Sequence, residues 1–127
     1  FTGPVPWAGP RDLSAFLTIP TAINFYNKEI RPYQAACKKI IQDTYSEFSS
    51  VLNTEPISAG KEWLAQLVAH PLPKNIPSNL KKRLWEEYQI EIPVFEWNGQ
   101  AYVRVSIQVY NTQKDVDLLM SALRSLI

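Results

Sequence analysis

The sequence predicts an α/β domain of the two-layer α+β kind: a small, mainly antiparallel sheet with helices packed on one face. The first observation behind this is a strand signal near the end of the chain. Val103, Val105, Ile107 and Val109 alternate with Tyr102, Arg104, Ser106 and Gln108, the period-2 pattern of a strand with one buried face. The second is Asn98-Gly99, just before that run, the dipeptide favoured by a type I′ hairpin turn. The third is the stretch from Glu29 to Leu52, which keeps apolar residues on one face at helical spacing. Helices and strands alternate in the order helix, long helix, strand, helix, strand, strand, helix. A small sheet covered on one side by helices is the natural packing for that order.

A chain of 127 residues can bury a core of its own. Apolar residues make up 46% and aromatic residues 12%, a globular and not a disordered composition. Thirteen basic residues stand against twelve acidic ones, so there is no field to attract nucleic acid or an anionic membrane. No apolar run is long enough to span a bilayer. Cys37 is the single cysteine. It excludes an internal disulfide and points to a reducing, cytoplasmic compartment. The opening residues, with Pro4, Pro6 and Pro10 interspersed with Gly3 and Gly9, read as extended or turn-like. They look like an internal segment of a longer chain.

The elements follow in order. Asp12 or Ser14 can cap a short helix carrying Leu13, Phe16, Leu17, Ile23 and Phe25, started or kinked at Pro20. The long helix from Glu29 to Leu52 accepts Pro32 in its first turn. Ile30, Tyr33, Ala36, Cys37, Ile40, Ile41, Thr44, Phe48, Val51 and Leu52 form its inner face. After a turn-rich connector, Trp63 to Val68 reads as a short strand, stopped by Pro71 and Pro73. Ser78 can cap a helix from Asn79 to Tyr88, with Leu80, Leu84, Trp85 and Tyr88 inward. A strand over Ile90–Trp97 is expected either at a sheet edge or with a bulge, because Pro93 cannot donate to a ladder. It pairs with 101–109 through Asn98-Gly99. Thr112 and Asp115 fit a capping box for a last helix with Val116, Leu119, Met120, Leu123 and Ile127 on one stripe. The sheet face carrying Tyr102, Arg104 and Ser106 is left open.

Three separated segments, in order, resemble a known family. Arg104-Val-Ser-Ile-Gln-Val-Tyr-Asn-Thr, followed by a Lys-Asp-Val-Asp helix, is similar to the C-terminal signature of class V aminotransferases, fold-type I enzymes that use pyridoxal 5′-phosphate. The Ile90-Glu-Ile-Pro-Val-Phe-Glu-Trp hairpin resembles the isopenicillin N epimerase-like branch. Trp7-Ala-Gly-Pro-Arg-Asp-Leu-Ser-Ala-Phe-Leu-Thr-Ile-Pro-Thr-Ala-Ile resembles that branch's W-x-G-T-R-D-x-S-A-x-L-x-x-P-x-A-I segment.

The resemblance implies the C-terminal part of a longer, homodimeric enzyme acting on an amino-acid substrate. Residues 1–28 would be the tail of the large cofactor domain and 29–127 the small domain. The lysine that forms the Schiff base would lie outside this chain. Lys28, Lys38, Lys39, Lys61, Lys74, Lys81, Lys82 and Lys114 all read as solvated, whereas such a lysine is desolvated. The chain is therefore expected to be inactive alone, with no catalytic residue of its own. By the resemblance Arg104 binds the substrate α-carboxylate, and Gly9 and Arg11 contact the cofactor phosphate. Pro10 replaces the family threonine whose hydroxyl reaches that phosphate. Epimerase, lyase or desulfhydrase, and aminotransferase chemistries all remain open. Cysteine desulfurases of this class use a loop cysteine, whereas Cys37 is mid-helix on an apolar face.

Other readings of these residues are simpler. Arg104 can pair with Glu91 or Glu96 across the hairpin. Asp12 reads as a helix cap and His70 as a loop histidine. Trp63, Trp85 and Trp97 read as core and hairpin packing, whereas Trp7 can line an active site or a subunit interface. No metal-ligand spacing, phosphate loop or Ser/His/Asp arrangement is present. The alternative to an enzyme part is a stand-alone ligand-binding or dimerisation module that uses the open sheet face.

Overall fold

A computed structural model describes Pro10 and residues 12–127. Gly9, Arg11 and Trp7 lie outside the described residues. The chain divides into two compact units, one ending at Pro32 and one comprising Tyr33–Ile127.

In the first unit, Asp12 accepts hydrogen bonds from the Ser14 amide (2.8 Å) and hydroxyl (2.7 Å). Those donors hold the Asp12 carboxyl below its ordinary value, the backbone bond contributing most. The helix α1 (Ser14–Leu17) follows, then α2 (Ile19–Phe25) with Pro20 in its first turn. The proline starts a helix here because its missing N–H falls where no intrahelical partner exists.

The expected helix from Glu29 is shorter than its apolar pattern. A π turn covers Tyr26–Ile30, a 3-10 turn covers Arg31–Tyr33, and α3 runs over Gln34–Leu52. Pro32 has no amide to give to the preceding turn, so the regular hydrogen-bond pattern is interrupted there and α-helix resumes after it. Tyr33, expected inward, is exposed, while Tyr45 is buried with Cys37, Ile41, Thr44, Phe48 and Leu52. The Tyr45 hydroxyl accepts the Ser58 amide (2.8 Å), which gives its polar end a partner. The helix ends at Asn53 in left-handed conformation, with the Thr54 amide bonded to the Ser49 carbonyl (3.1 Å), a Schellman-type close.

The sheet has the order β1-β3-β2 and is antiparallel throughout. Its strands are β1 (Leu67–Pro71), β2 (Val94–Trp97) and β3 (Gln100–Ser106). The first strand therefore lies further along the chain than Trp63–Val68. Lys61–Trp63 is a 3-10 turn. Val68 and His70 are the inward pair of the strand, opposite Val105 and Val103. Pro71 is tolerated because β1 is an edge and Pro71 lies opposite Tyr102 between two bonded positions. The hairpin turn is as expected: Asn98 and Gly99 both have positive φ (50° and 74°). Strand β2 is an edge but is only half the expected length. The Arg104 amide bonds to the Pro93 carbonyl (3.0 Å), and Pro93 has no N–H to return, so the ladder ends there.

Helix α4 (Leu80–Tyr88) buries Leu80 and Leu84, and its N-cap is Asn79, with no side-chain cap from Ser78. Helix α5 (Gln113–Leu126) starts at the Thr112–Asp115 capping box, where the Thr112 amide reaches the Asp115 carboxylate at 2.7 Å. The last helix contributes Val116, Leu119, Met120, Ala122, Leu123 and Leu126 to the core shared with α3, α4 and the inner sheet face. Ile127, expected on that stripe, is exposed.

His70 is not a loop residue. It sits on β1 with no solvent exposure, stacked on Phe48 (ring centroids 4.6 Å apart) and beside Tyr45 (5.2 Å). Neither ring nitrogen has a hydrogen-bond partner among the described residues. Burial pushes its pKa from 6.5 down to about 4, because the charged ring loses its hydration. Between those values the unfolded chain binds the proton and the folded chain does not. The neutral ring's contribution to stability is thus complete above pH 6.5 and is lost as pH falls towards 4. The expected loss at pH 4 is on the order of 2–3 kcal/mol. Urea unfolding between pH 4 and 7 should show this slope in the wild type and a flatter one in His70→Leu. Identical slopes would contradict the assignment.

Candidate functional site

Strand β3 sorts its side chains by parity. Val103 and Val105 enter the core, while Arg104 and Ser106 are exposed on the opposite face. The register decides what stands beside Arg104. Its partner on β1 is Ala69, and its backbone neighbour on the β2 side is Pro93. Neither can neutralise a guanidinium. The expected pairing with Glu91 or Glu96 is not formed, and Arg104 makes no side-chain hydrogen bond or ion pair among the described residues. Glu96 lies opposite Ala101, three register steps beyond Pro93 and on the opposite parity, so the pairing geometry does not favour that bridge.

Arg104 lines an open cleft of about 520 Å³. Ile92, Val105, Ile107, Val116 and Leu119 give it an apolar floor. Glu91, Ser106, Tyr110, Asn111 and Asp115 supply polar groups. The size is that of a small-molecule site. Asn111 shapes the cleft: its side chain accepts the Gln108 amide (2.9 Å) and its amide bonds the Gln108 carbonyl (2.9 Å), turning the chain from β3 towards α5. Sequence reasoning had singled out only Arg104 for a functional role here. Tyr110 is 80% exposed, and neither periodicity nor composition distinguishes such a residue from an ordinary turn tyrosine.

Further along the same sheet face lies an aromatic group. Tyr102 stacks on Phe95 (5.7 Å between centroids, 23° between planes) and meets Trp97 at 6.5 Å and 53°. These rings are not covered: Trp97 is 68% exposed. Trp63 and Trp85, also expected as core residues, are 80% and 52% exposed. Trp63 occupies a 3-10 turn and Trp85 the outer side of α4. Among the described residues this sheet face is therefore aromatic, and Arg104 stands on its central strand without a charge partner.

The remaining candidates are distributed elsewhere. Gly9 and Arg11 fall outside the described residues. Cys37 is buried in α3 as a free thiol. All eight lysines are exposed. Among the described residues there is no group of three or more potential metal ligands, and no helix is long and apolar enough to cross a membrane.

No family model matches the chain. It is 28% identical over 124 residues to the isopenicillin N epimerase of Amycolatopsis lactamdurans, a match that covers 93% of this chain and 30% of the relative. The chain is similar to isopenicillin N epimerases. A probable chloroplastic L-cysteine desulfhydrase of Arabidopsis thaliana is 27% identical, with 95% and 29% covered. The chain thus spans about 30% of the length of the curated relatives it matches. Among solved structures, 8-amino-7-oxononanoate synthase from Francisella tularensis shares the fold with a TM-score of 0.62 at 20% identity, over 84% of this chain and 30% of that one. The resemblance to isopenicillin N epimerases read from three motifs is borne out, as is the two-layer α+β fold with an antiparallel sheet.

A thiol in the Cys37 environment is a core group, not a nucleophile. Alkylation of the native chain with iodoacetamide should be slower by at least tenfold than in urea, in step with opening of the fold. Equal rates in the two conditions would contradict the placement of Cys37.

Proposed function

We propose that the chain is the small domain, with the tail of the large domain, of a pyridoxal 5′-phosphate-dependent enzyme acting on an amino acid. In this reading residues 1–28 belong to the large domain and 29–127 form the small one, within a cytoplasmic homodimer. The observation that carries the reading is Arg104. It is an arginine in mid-strand, unpaired among the described residues, flanked by Ala69 and Pro93 and set at the mouth of a cleft. A guanidinium offers two parallel N–H donors that match a carboxylate, a geometry a lysine cannot reproduce. The names of the relatives, an epimerase and a desulfhydrase, support substrates that carry such a carboxylate.

The described residues do not fit the cofactor itself. Its aldehyde needs a sheltered lysine, and all eight lysines here are solvated. Gly9 and Arg11 remain the residues proposed for its phosphate, with Pro10 offering neither hydroxyl nor amide. The contribution of this chain is binding and orientation. Arg104 fixes one end of the substrate, the apolar floor excludes water from beside it, and the open sheet face supports the rest of the enzyme. Holding a substrate in one orientation is itself a large part of catalysis. Cys37, buried in α3, supports an epimerase, lyase or aminotransferase over a mechanism that passes sulfur through a protein thiol.

The test is Arg104→Lys in the cofactor-loaded enzyme that contains this chain. Loss of the bidentate contact should raise KM for the amino acid roughly ten- to a hundredfold, with the absorption of the bound cofactor unchanged. An unaltered KM would show that Arg104 is not the carboxylate anchor.

A further inference from the structure

The Arg104 cleft contains a second charge without a partner. Pro93 ends the β2–β3 ladder, and residues 90–92 line the cleft opposite β3. Ile92 is buried in its floor, while Glu91 is exposed at its side. Glu91 makes no hydrogen bond or ion pair among the described residues, with Arg104 or with any other group. The other carboxylate of the cleft, Asp115, is committed to the Thr112 amide in the α5 capping box. One free cation and one free anion thus share a cleft of about 520 Å³ without neutralising one another. Buried apolar side chains, Ile92, Val105, Ile107, Val116 and Leu119, line the same cleft.

We infer that this cleft takes a zwitterion, whose carboxylate binds Arg104 and whose distal cationic group binds Glu91 across an aliphatic stretch. The inference rests on the carboxylate-anchor reading of Arg104 and adds the substrate class: an amino acid or peptide-like molecule with a positive group remote from the bound carboxylate. A simple monocarboxylate would leave Glu91 unanswered, and a dicarboxylate would be repelled by it. Both charges are solvated, so Glu91 contributes selectivity more than affinity.

The probes are 6-aminohexanoate, hexanoate and adipate, titrated into the full 127-residue chain and followed by amide and arginine side-chain NMR shifts. The expected order is 6-aminohexanoate, hexanoate, adipate, with the first binding roughly two- to fivefold more tightly than the second. Glu91→Gln should erase that difference and keep hexanoate binding. Glu91 is exposed and unbonded, so this variant retains the fold. Arg104→Met should weaken all three probes. Equal binding of hexanoate and 6-aminohexanoate by the wild type, or a preference that survives Glu91→Gln, overturns the zwitterion while leaving the carboxylate anchor standing. Hexanoate binding unchanged in Arg104→Met overturns the anchor itself. Absence of binding by every probe overturns both.

Discussion

A single missing hydrogen bond organises the proposed site. Where Arg104 faces Pro93, the strand donates its amide to the proline carbonyl and receives nothing back. Pairing between β2 and β3 stops there. The strand continues to Ser106 held by β1 alone on its other side. The freed flank of β3 becomes one wall of the cleft, α5 another, and the segment at 90–92 a third. Had residue 93 carried an amide, the ladder could have run on and residues 90–92 could have closed against β3.

The same strand joins stability to function. Its odd residues, Val103 and Val105, are buried against the helical layer with Phe48 and Leu123 in one core. That packing fixes the register, and register fixes the face of every side chain. A one-residue slip would bury Arg104 and expose two valines. The position of the guanidinium is thus secured by apolar burial on the opposite face, worth about 25 cal/mol for each Å² removed from water. On β1, the small Ala69 opposite Arg104 leaves it unobstructed.

Signals set by local chemistry were legible in the sequence. The β3 alternation, the Asn98-Gly99 turn, the capping box of α5 and the edge position or bulge required by Pro93 each depend on residues close in the chain. Strand β1 was not legible in its true position. Its inward pair is Val68 and His70, and a histidine before a proline carries no apolar signal. Only pairing with Val103 and stacking on Phe48 bury it. Two tryptophans misled for the converse reason: size and hydrophobicity suggest burial, but a 3-10 turn and the outer side of α4 leave Trp63 and Trp85 exposed, whereas Trp97 does pack in the hairpin against Tyr102. For the site, Arg104 was visible as a charge in a strand pattern. The freedom of Glu91 was not, since it depends on where the ladder ends and on which carboxylate the helix cap consumes.

The account divides the chemistry. In the proposed function this chain anchors a substrate, and the covalent attachment of pyridoxal phosphate lies outside it. The most direct test is to titrate pyridoxal 5′-phosphate into the 127-residue chain, follow the visible absorption of protein-bound cofactor, then reduce with borohydride and map the modified lysines by mass spectrometry. The account predicts no saturable band and only scattered, substoichiometric labelling of the eight exposed lysines. A saturable band with one lysine labelled at one equivalent would contradict it.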